Sequence, residues 1–236
     1  MKVAVPQFPG SNCDADVVHA LENVLSVPTE CVWHKASSLG GFDAVVIPGG
    51  FAFGDYLRCG AIARFSPVMR AVADFAGNGG PVLGICNGFQ ILCEAGLLPG
   101  ALICNQCLEF RCLTQDLVVE SPHFTIACNP DKQSVRTVHL KLPIAHGAGN
   151  YRIDPKGLVE LEKHGQILFR YANAYGQPSD EANPNGSIAH IAGVCNRAGN
   201  VFGMMPHPER AVEWLHPSLD GLKVFRAFLK LPPASN

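Results

Sequence analysis

Hydrophobic positions in the first hundred residues fall into two alternating patterns. Lys2–Gln7, Thr29–His34, Ala44–Pro48 and Pro81–Ile85 have the length of strands, and Ala44–Pro48 is apolar until Pro48-Gly49-Gly50 ends it. Between these runs the spacing turns helical. Val17, Val18, Leu21, Val24 and Leu25 recur on one helical face, with Ser11 and Asn12 as candidate caps and Asp14 and Asp16 at the positive end. Ser66-Pro67 predicts a second helix start, with Val68, Ala71, Val72, Phe75 and Ala76 as its buried stripe and Gly77 and Gly79-Gly80 as its stop. A third helix is predicted from about Gly88 to Ala95. Strands that alternate with helices imply a parallel sheet covered on both faces.

The middle of the chain has a different rhythm. From Gly100 to Tyr151 the runs Leu117–Glu120, Phe124–Cys128 and Val135–Leu142 are strand-like, with no strong helix between them. They predict antiparallel strands added at a sheet edge. A helix fits Pro155–His164, strands fit Gln166–Tyr171, Ile188–Cys195 and Val201–Met205, and a last helix fits Leu219–Leu231. Gln177–Gly186, polar and rich in Pro and Asn, is a predicted loop. No repeat or linker interrupts the 236 residues, so the expectation is one α/β domain over 1–236.

Composition narrows the function classes. The chain is 47% apolar and 16% charged, enough for a large core. Net charge is -2 and Lys and Arg form no long run, which argues against a nucleic-acid partner. No apolar run approaches the roughly 18–20 residues of a spanning helix, and no secretory leader is recognisable, so a cytoplasmic protein is expected. Ten cysteines in a reducing compartment are expected to be free thiols. Cys104 and Cys107 form one CxxC with Cys112 nearby, but nothing completes a four-ligand zinc set, so no metal is expected.

The chemistry is concentrated in two segments. Gly84-Ile85-Cys86-Asn87-Gly88 lies between a predicted strand and a predicted helix. A GxCxG turn of this kind is a nucleophile elbow: the central residue takes a strained backbone, and glycines two places to either side leave room for it. The turn exposes Cys86 at a helix N-terminus, where the dipole favours thiolate. A buried structural cysteine in a glycine-rich turn is the competing reading. Pro206-His207-Pro208-Glu209 follows the predicted strand Val201–Met205, which places it at the carboxyl edge of the sheet, where Cys86 should emerge. His207 suits a general base that later protonates the leaving group, and Glu209 suits the acid that orients it. His146, also beside glycines, is the rival base.

With these residues in view, the sequence resembles the triad-type class I glutamine amidotransferases. Gly84-Ile85-Cys86-Asn87-Gly88-Phe89-Gln90 and Pro206-His207-Pro208-Glu209 are similar to that family's two signatures, and Pro48-Gly49-Gly50-Phe51 to its oxyanion strand. Gly49–Arg58, Asn183-Pro184-Asn185-Gly186-Ser187 and Met204–Arg210 are similar to the branch that serves phosphoribosylformylglycinamidine synthase in purine synthesis. The likeness runs from residue 1 to about 230. It implies a flavodoxin-like three-layer sandwich with a mostly parallel central sheet. It further implies a Cys86-His207-Glu209 triad, oxyanion donors at the Gly50 and Asn87 N–H groups, and a substrate-holding role for Gln90. In Pro143–Tyr151 this chain departs from the family pattern: Ala148 stands where glutamate is usual.

The resemblance also implies partners. Glutaminases of this branch pass ammonia to a large synthetase subunit, together with a small accessory subunit. No GxxxxGK[ST] phosphate loop occurs in this sequence, so ATP and Mg are expected on the synthetase and no cofactor on this chain. A cysteine-elbow α/β-hydrolase is the rival enzyme class, but that fold orders its triad nucleophile, acid, histidine, and here the acid follows the histidine. A binding subunit that has lost activity is the third reading. It would be expected to lack the cysteine or the histidine, and both are present.

Overall fold

The computed structural model describes residues 1–121 and 138–232. A nine-stranded sheet runs through the molecule. Its strands are β1 (Val3–Gln7), β2 (Thr29–Trp33), β3 (Ala44–Ile47), β4 (Val82–Ile85), β6 (Arg111–Val119), β7 (His139–His146), β9 (Ile167–Ala172), β10 (Ile191–Cys195) and β11 (Val201–Met204). Two three-residue strands, β5 (Ala101–Ile103) and β8 (Asn150–Arg152), pair as a separate ribbon.

Sheet order is β2-β1-β3-β4-β11-β10-β9-β6-β7. The first five strands are parallel to one another. From β11 onward every pairing is antiparallel. The α/β reading therefore holds for the half that carries the motifs, and the antiparallel strands extend one edge. The central strands β3 and β4 are buried throughout, as their apolar runs require.

Helices cover the parallel half. These are α1 (Asp14–Val18), which continues as π-helical turns over His19–Val24, α2 (Pro67–Gly77) and α3 (Asn87–Glu94). Helices α4 (Pro155–Lys163) and α5 (Asp220–Leu229) complete the set among the described residues. Val68, Ala71, Val72 and Ala76 of α2 are buried as the spacing predicts, and Phe75 packs half-buried against the core. Phe89 and Tyr151 stack with ring centroids 5.9 Å apart, tying α3 to β8.

Three local expectations change. Helix α1 begins after Cys13, not at Ser11 or Asn12; the Ser11 hydroxyl instead accepts from the Phe8 N–H at 3.1 Å, stabilising the turn before the helix. Ile188–His190 is a 3-10 turn, so β10 starts at Ile191. Strand β7 runs to His146, past the predicted end, because pairing with β6 continues to Arg111. The run Phe124–Cys128 lies outside the described residues.

Candidate active site

Adjacent parallel strands deliver the three motifs to one edge. β3, β4 and β11 lie side by side, so their carboxyl ends point the same way. β3 feeds Pro48-Gly49-Gly50, β4 feeds Cys86, and β11 feeds the segment that reaches His207 and Glu209. The register pairs Gly84 with Gly203 and Ile85 with Met204, which brings the elbow beside the histidine loop.

The elbow has the backbone that its sequence implies. Cys86 sits at φ 49°, ψ -104°, a left-handed conformation that costs a non-glycine residue roughly 1–3 kcal/mol. The neighbouring glycines make it possible. A Cβ on Gly88 would lie 2.1 Å from the Ile47 carbonyl oxygen, and one on Gly84 would lie 2.6 Å from the Gly88 carbonyl carbon. The Cys86 N–H donates to the Met204 carbonyl at 2.8 Å, which locks the turn to β11. Asn87 is the first residue of α3, so its N–H has no carbonyl partner within the helix.

His207 and Glu209 are 1% and 2% exposed. A 3-10 turn at Pro208–Arg210 folds the carboxylate back, and Glu209 Oε1 lies 2.6 Å from His207 Nδ1. His207 is fixed from its backbone as well, donating its N–H to the Pro143 carbonyl at 2.8 Å. Nε2 is buried without a conventional hydrogen-bond partner, and the Cys86 and Cys13 sulfurs both act on the ring. Burial opposes the imidazolium, but the Glu209 carboxylate and then the two sulfurs outweigh it, so the His207 pKa is raised well above its usual value.

The neighbours differ in character. His146 is buried, meets the Asn105 side-chain oxygen at 3.1 Å rather than a carboxylate, and is pushed down to about 4 by burial and then by His207. It is therefore neutral near pH 7 and lacks the carboxylate partner of His207. The Cys59 thiol is pushed up to about 12 by burial, then by Asp55 and Cys86, so it stays protonated.

Cys86, His207, Gly50, Gln90 and Ala148 line a cavity of about 390 Å³. Gly50 adopts φ +134°, and a Cβ there would lie 2.7 Å from the Asn12 nitrogen. The Asn87 side chain joins the Gly50 loop to the elbow helix: it accepts from the Ala52 N–H at 3.0 Å and donates to Gln90 Oε1 at 2.9 Å. Gln90 Nε2 donates to the Ala148 carbonyl at 2.6 Å. The Gln90 amide thus braces the opposite wall of the cavity.

Two site residues were not singled out from sequence. Cys13 is buried beside His207, and Arg210 Nη2 donates to its sulfur at 3.2 Å while Arg210 Nε binds Asp16 at 3.1 Å. The available signals were weak: Arg210 adjoins the His-Pro-Glu segment, and Cys13 follows β1 at the same sheet edge. Cys104, Cys107 and Cys112 are exposed. Among the described residues, the group of potential metal ligands that converges is Cys13, His207 and Glu209.

Residues 1–223 match the family model of the CobB/CobQ-like glutamine amidotransferase domain. The chain belongs to this glutamine amidotransferase family. Similar amidotransferase chains include two named phosphoribosylformylglycinamidine synthase subunit PurQ. That of Thermosynechococcus vestitus is 53% identical, with 97% of this chain and 96% of that one covered. That of Moorella thermoacetica is 51% identical, covering 97% and 95%. Among solved structures, a chain of PurLQS from Thermotoga maritima superposes with a TM-score of 0.82 at 40% identity, with 97% of each chain covered. A putative GMP synthase subunit from Thermoplasma acidophilum shares the fold, with a TM-score of 0.64 at 17% identity over 98% of this chain and 93% of that one.

Proposed function

We propose that this chain is the glutaminase subunit of phosphoribosylformylglycinamidine synthase, hydrolysing glutamine and passing the ammonia to a partner synthetase. The observation that carries the reading is the convergence of Cys86, the His207–Glu209 pair and Gly50 on one cavity from three adjacent parallel strands. Near-full-length relatives that carry the synthase name support the branch.

The chemistry follows from these groups. The Cys86 thiolate attacks the side-chain amide carbon of glutamine, and the oxyanion forms beside the N–H groups of Gly50 and Asn87. His207, held cationic by Glu209, gives its proton to the departing ammonia and leaves a glutamyl thioester on Cys86. Water then loses a proton to His207 as it attacks the thioester, which releases glutamate and restores the Cys86 thiolate beside a cationic His207. Gln90 contributes to substrate binding by fixing the cavity wall at Ala148.

The ammonia acceptor is proposed to be formylglycinamide ribonucleotide, bound on a large synthetase subunit that works with a small accessory subunit. ATP and Mg belong there, a division supported by the missing phosphate loop in this sequence. Exposed apolar side chains near the cavity mouth suit such a dock: Tyr56 is 74% and Leu57 90% exposed, with Phe51 and Phe110 also open to solvent. We read residues 1–236 as one amidotransferase unit. No described helix is long and apolar enough to cross a membrane, and a cytoplasmic location fits purine synthesis.

The test is Cys86→Ala in the assembled complex. Glutamine-dependent amidine synthesis should disappear while synthesis from added ammonia persists. Glutamine use at the wild-type rate would sink the assignment.

A further inference from the structure

One buried acceptor beside the nucleophile takes no part in the triad. His146 ends β7, and its neighbours in sequence meet the elbow: the Cys86 thiol faces the Ala145 carbonyl at 3.8 Å, and Gln90 Nε2 donates to the Ala148 carbonyl. Asn105 sets which ring nitrogen of His146 carries the proton. The Asn105 side chain is fully buried, and its Nδ2 donates to the carbonyls of Glu109 and His146 at 2.9 and 2.8 Å. Its Oδ1 is therefore the acceptor, and it takes the Gly149 N–H at 2.9 Å. His146 Nδ1 faces that oxygen at 3.1 Å and so holds the proton. The ring is neutral near pH 7, which leaves a lone pair on Nε2. Nε2 is buried without a partner, on a residue that lines the Cys86 cavity. A buried acceptor is costly to leave unpaired, and a bound ligand can pair it.

We propose that His146 Nε2 accepts a hydrogen bond from the carboxamide NH2 of bound glutamine, and then from the departing ammonia, which makes His146 a specificity-determining residue for the amide. The role rests on the glutaminase reading and deepens it. An amide nitrogen that enters the cavity gives up water and needs an acceptor for its N–H. Cationic His207 is a donor. Gln90 Oε1 already accepts from Asn87, and the Asn87 oxygen already accepts from the Ala52 N–H. His146 Nε2 meets the need without a charge. When the C–N bond breaks, its electron pair stays on nitrogen and His207 supplies the proton. His146 neither gains nor loses one, so ammonia leaves neutral. Product glutamate carries a carboxylate in place of the NH2. It offers no N–H to the lone pair, which favours its release.

The experiment compares glutamine with glutamate γ-methyl ester, whose leaving oxygen carries no hydrogen, by glutamate release from the assembled complex. His146→Phe should lower kcat/KM for glutamine by about tenfold and leave the ester almost unchanged. His146→Gln, whose side chain can donate to Asn105 and still present an oxygen, should recover part of the preference. Parallel losses on amide and ester would overturn the proposal and leave His146 a packing residue. A wild type that turns over neither would overturn the glutaminase reading along with it. Because His146→Phe could disturb folding, a second measurement keeps the ring. In a Cys86→Ala chain with ¹⁵N-labelled histidine, the His146 Nε2 resonance should move upfield when glutamine is added and stay in place with glutamate. A resonance unmoved by saturating glutamine, or one that shows Nε2 protonated from the start, would overturn the proposal while the triad assignment stood.

Discussion

His207 and Glu209 are two residues apart in sequence, and their side chains meet at 2.6 Å in a region closed to water. The single 3-10 turn between them makes the contact a property of one short segment, so the pair forms wherever β11 places that segment. The carboxylate both orients the ring and favours its cation, which is the state needed to protonate ammonia.

His207→Ala should therefore lower glutamine-dependent kcat/KM by roughly 10²–10⁴-fold, the usual range for a lost general acid–base group. Glu209→Ala should cost at least about tenfold less, because the imidazole still works without its anchor. Combined with Cys86→Ala, neither change should add to the loss, since the three act as a unit. The measurement is glutamate release by the complex, variant by variant. Full activity in His207→Ala with loss in His146→Ala would move the base to His146.

Gly88 offers a test of the elbow by stability. Its missing Cβ leaves room for the Ile47 carbonyl, which an added methyl would approach to 2.1 Å. Gly88→Ala should destabilise the chain by about 1–3 kcal/mol, read as a lower Tm, and should misplace Cys86. Gly77→Ala, at a position where a Cβ meets nothing within 4 Å, is the matched control and should leave the elbow unaffected. An unchanged Tm in Gly88→Ala would contradict the packing.

The segments that meet at the cavity and the parallel half were legible because their signals are local. The elbow needs five consecutive residues, the base loop four, and the strands before them are apolar runs that admit one reading. Cys13 and Arg210 were not legible as partners because 197 residues separate them and only the tertiary fold brings sulfur and guanidinium together. The β5–β8 ribbon escaped for another reason. Strands of three residues are too short to show a period, and their partners lie some fifty residues apart in the chain. The start of α1 was misplaced because Ser11 satisfies a nearby turn N–H, a use of the hydroxyl that competes with capping.

His146 predicts how stability depends on acid. Its pKa of about 4 in the folded chain lies below the usual 6.5, so the unfolded chain binds more protons between those values. Stability should fall as pH drops from 6.5 to about 4, by ~3 kcal/mol from this group. His207 acts in the opposite sense and elsewhere: its raised pKa contributes stability below 6.5 that is lost as pH climbs through the folded value. The Tm of His146→Gln, measured from pH 4 to 6.5, should decline less steeply than that of the wild type. Parallel curves would show that His146 is not the group that senses acid.

We expect the isolated chain to be a slow glutaminase and the complete complex, with ATP and formylglycinamide ribonucleotide, to be much faster. A glutaminase active on its own would consume glutamine and release ammonia into water, which protonates it. The segment that could couple docking to chemistry follows β3. Phe53, Gly54, Asp55 and Leu57 all take positive φ, a conformation that three of the four hold at a cost because they are not glycine. The same segment carries Gly50 at one end and the exposed Tyr56 and Leu57 at the other. Polar bonds tie it to the elbow helix: Asn87 to the Ala52 N–H and to Asp55 at 3.2 Å, and Arg58 to Glu94 at 2.5 Å. A partner that covers Tyr56 and Leu57 can therefore shift the segment and turn the Gly50 N–H toward the oxyanion, a bias that works only by binding one arrangement better than the other. Glutamate release should rise at least tenfold when synthetase, accessory subunit, ATP and substrate are added. Leu57→Asp should remove most of that rise while leaving the slow rate of the isolated chain in place. Equal rates with and without the partner would show a preformed oxyanion site, and the coupling would fall while the Cys86–His207–Glu209 assignment stood.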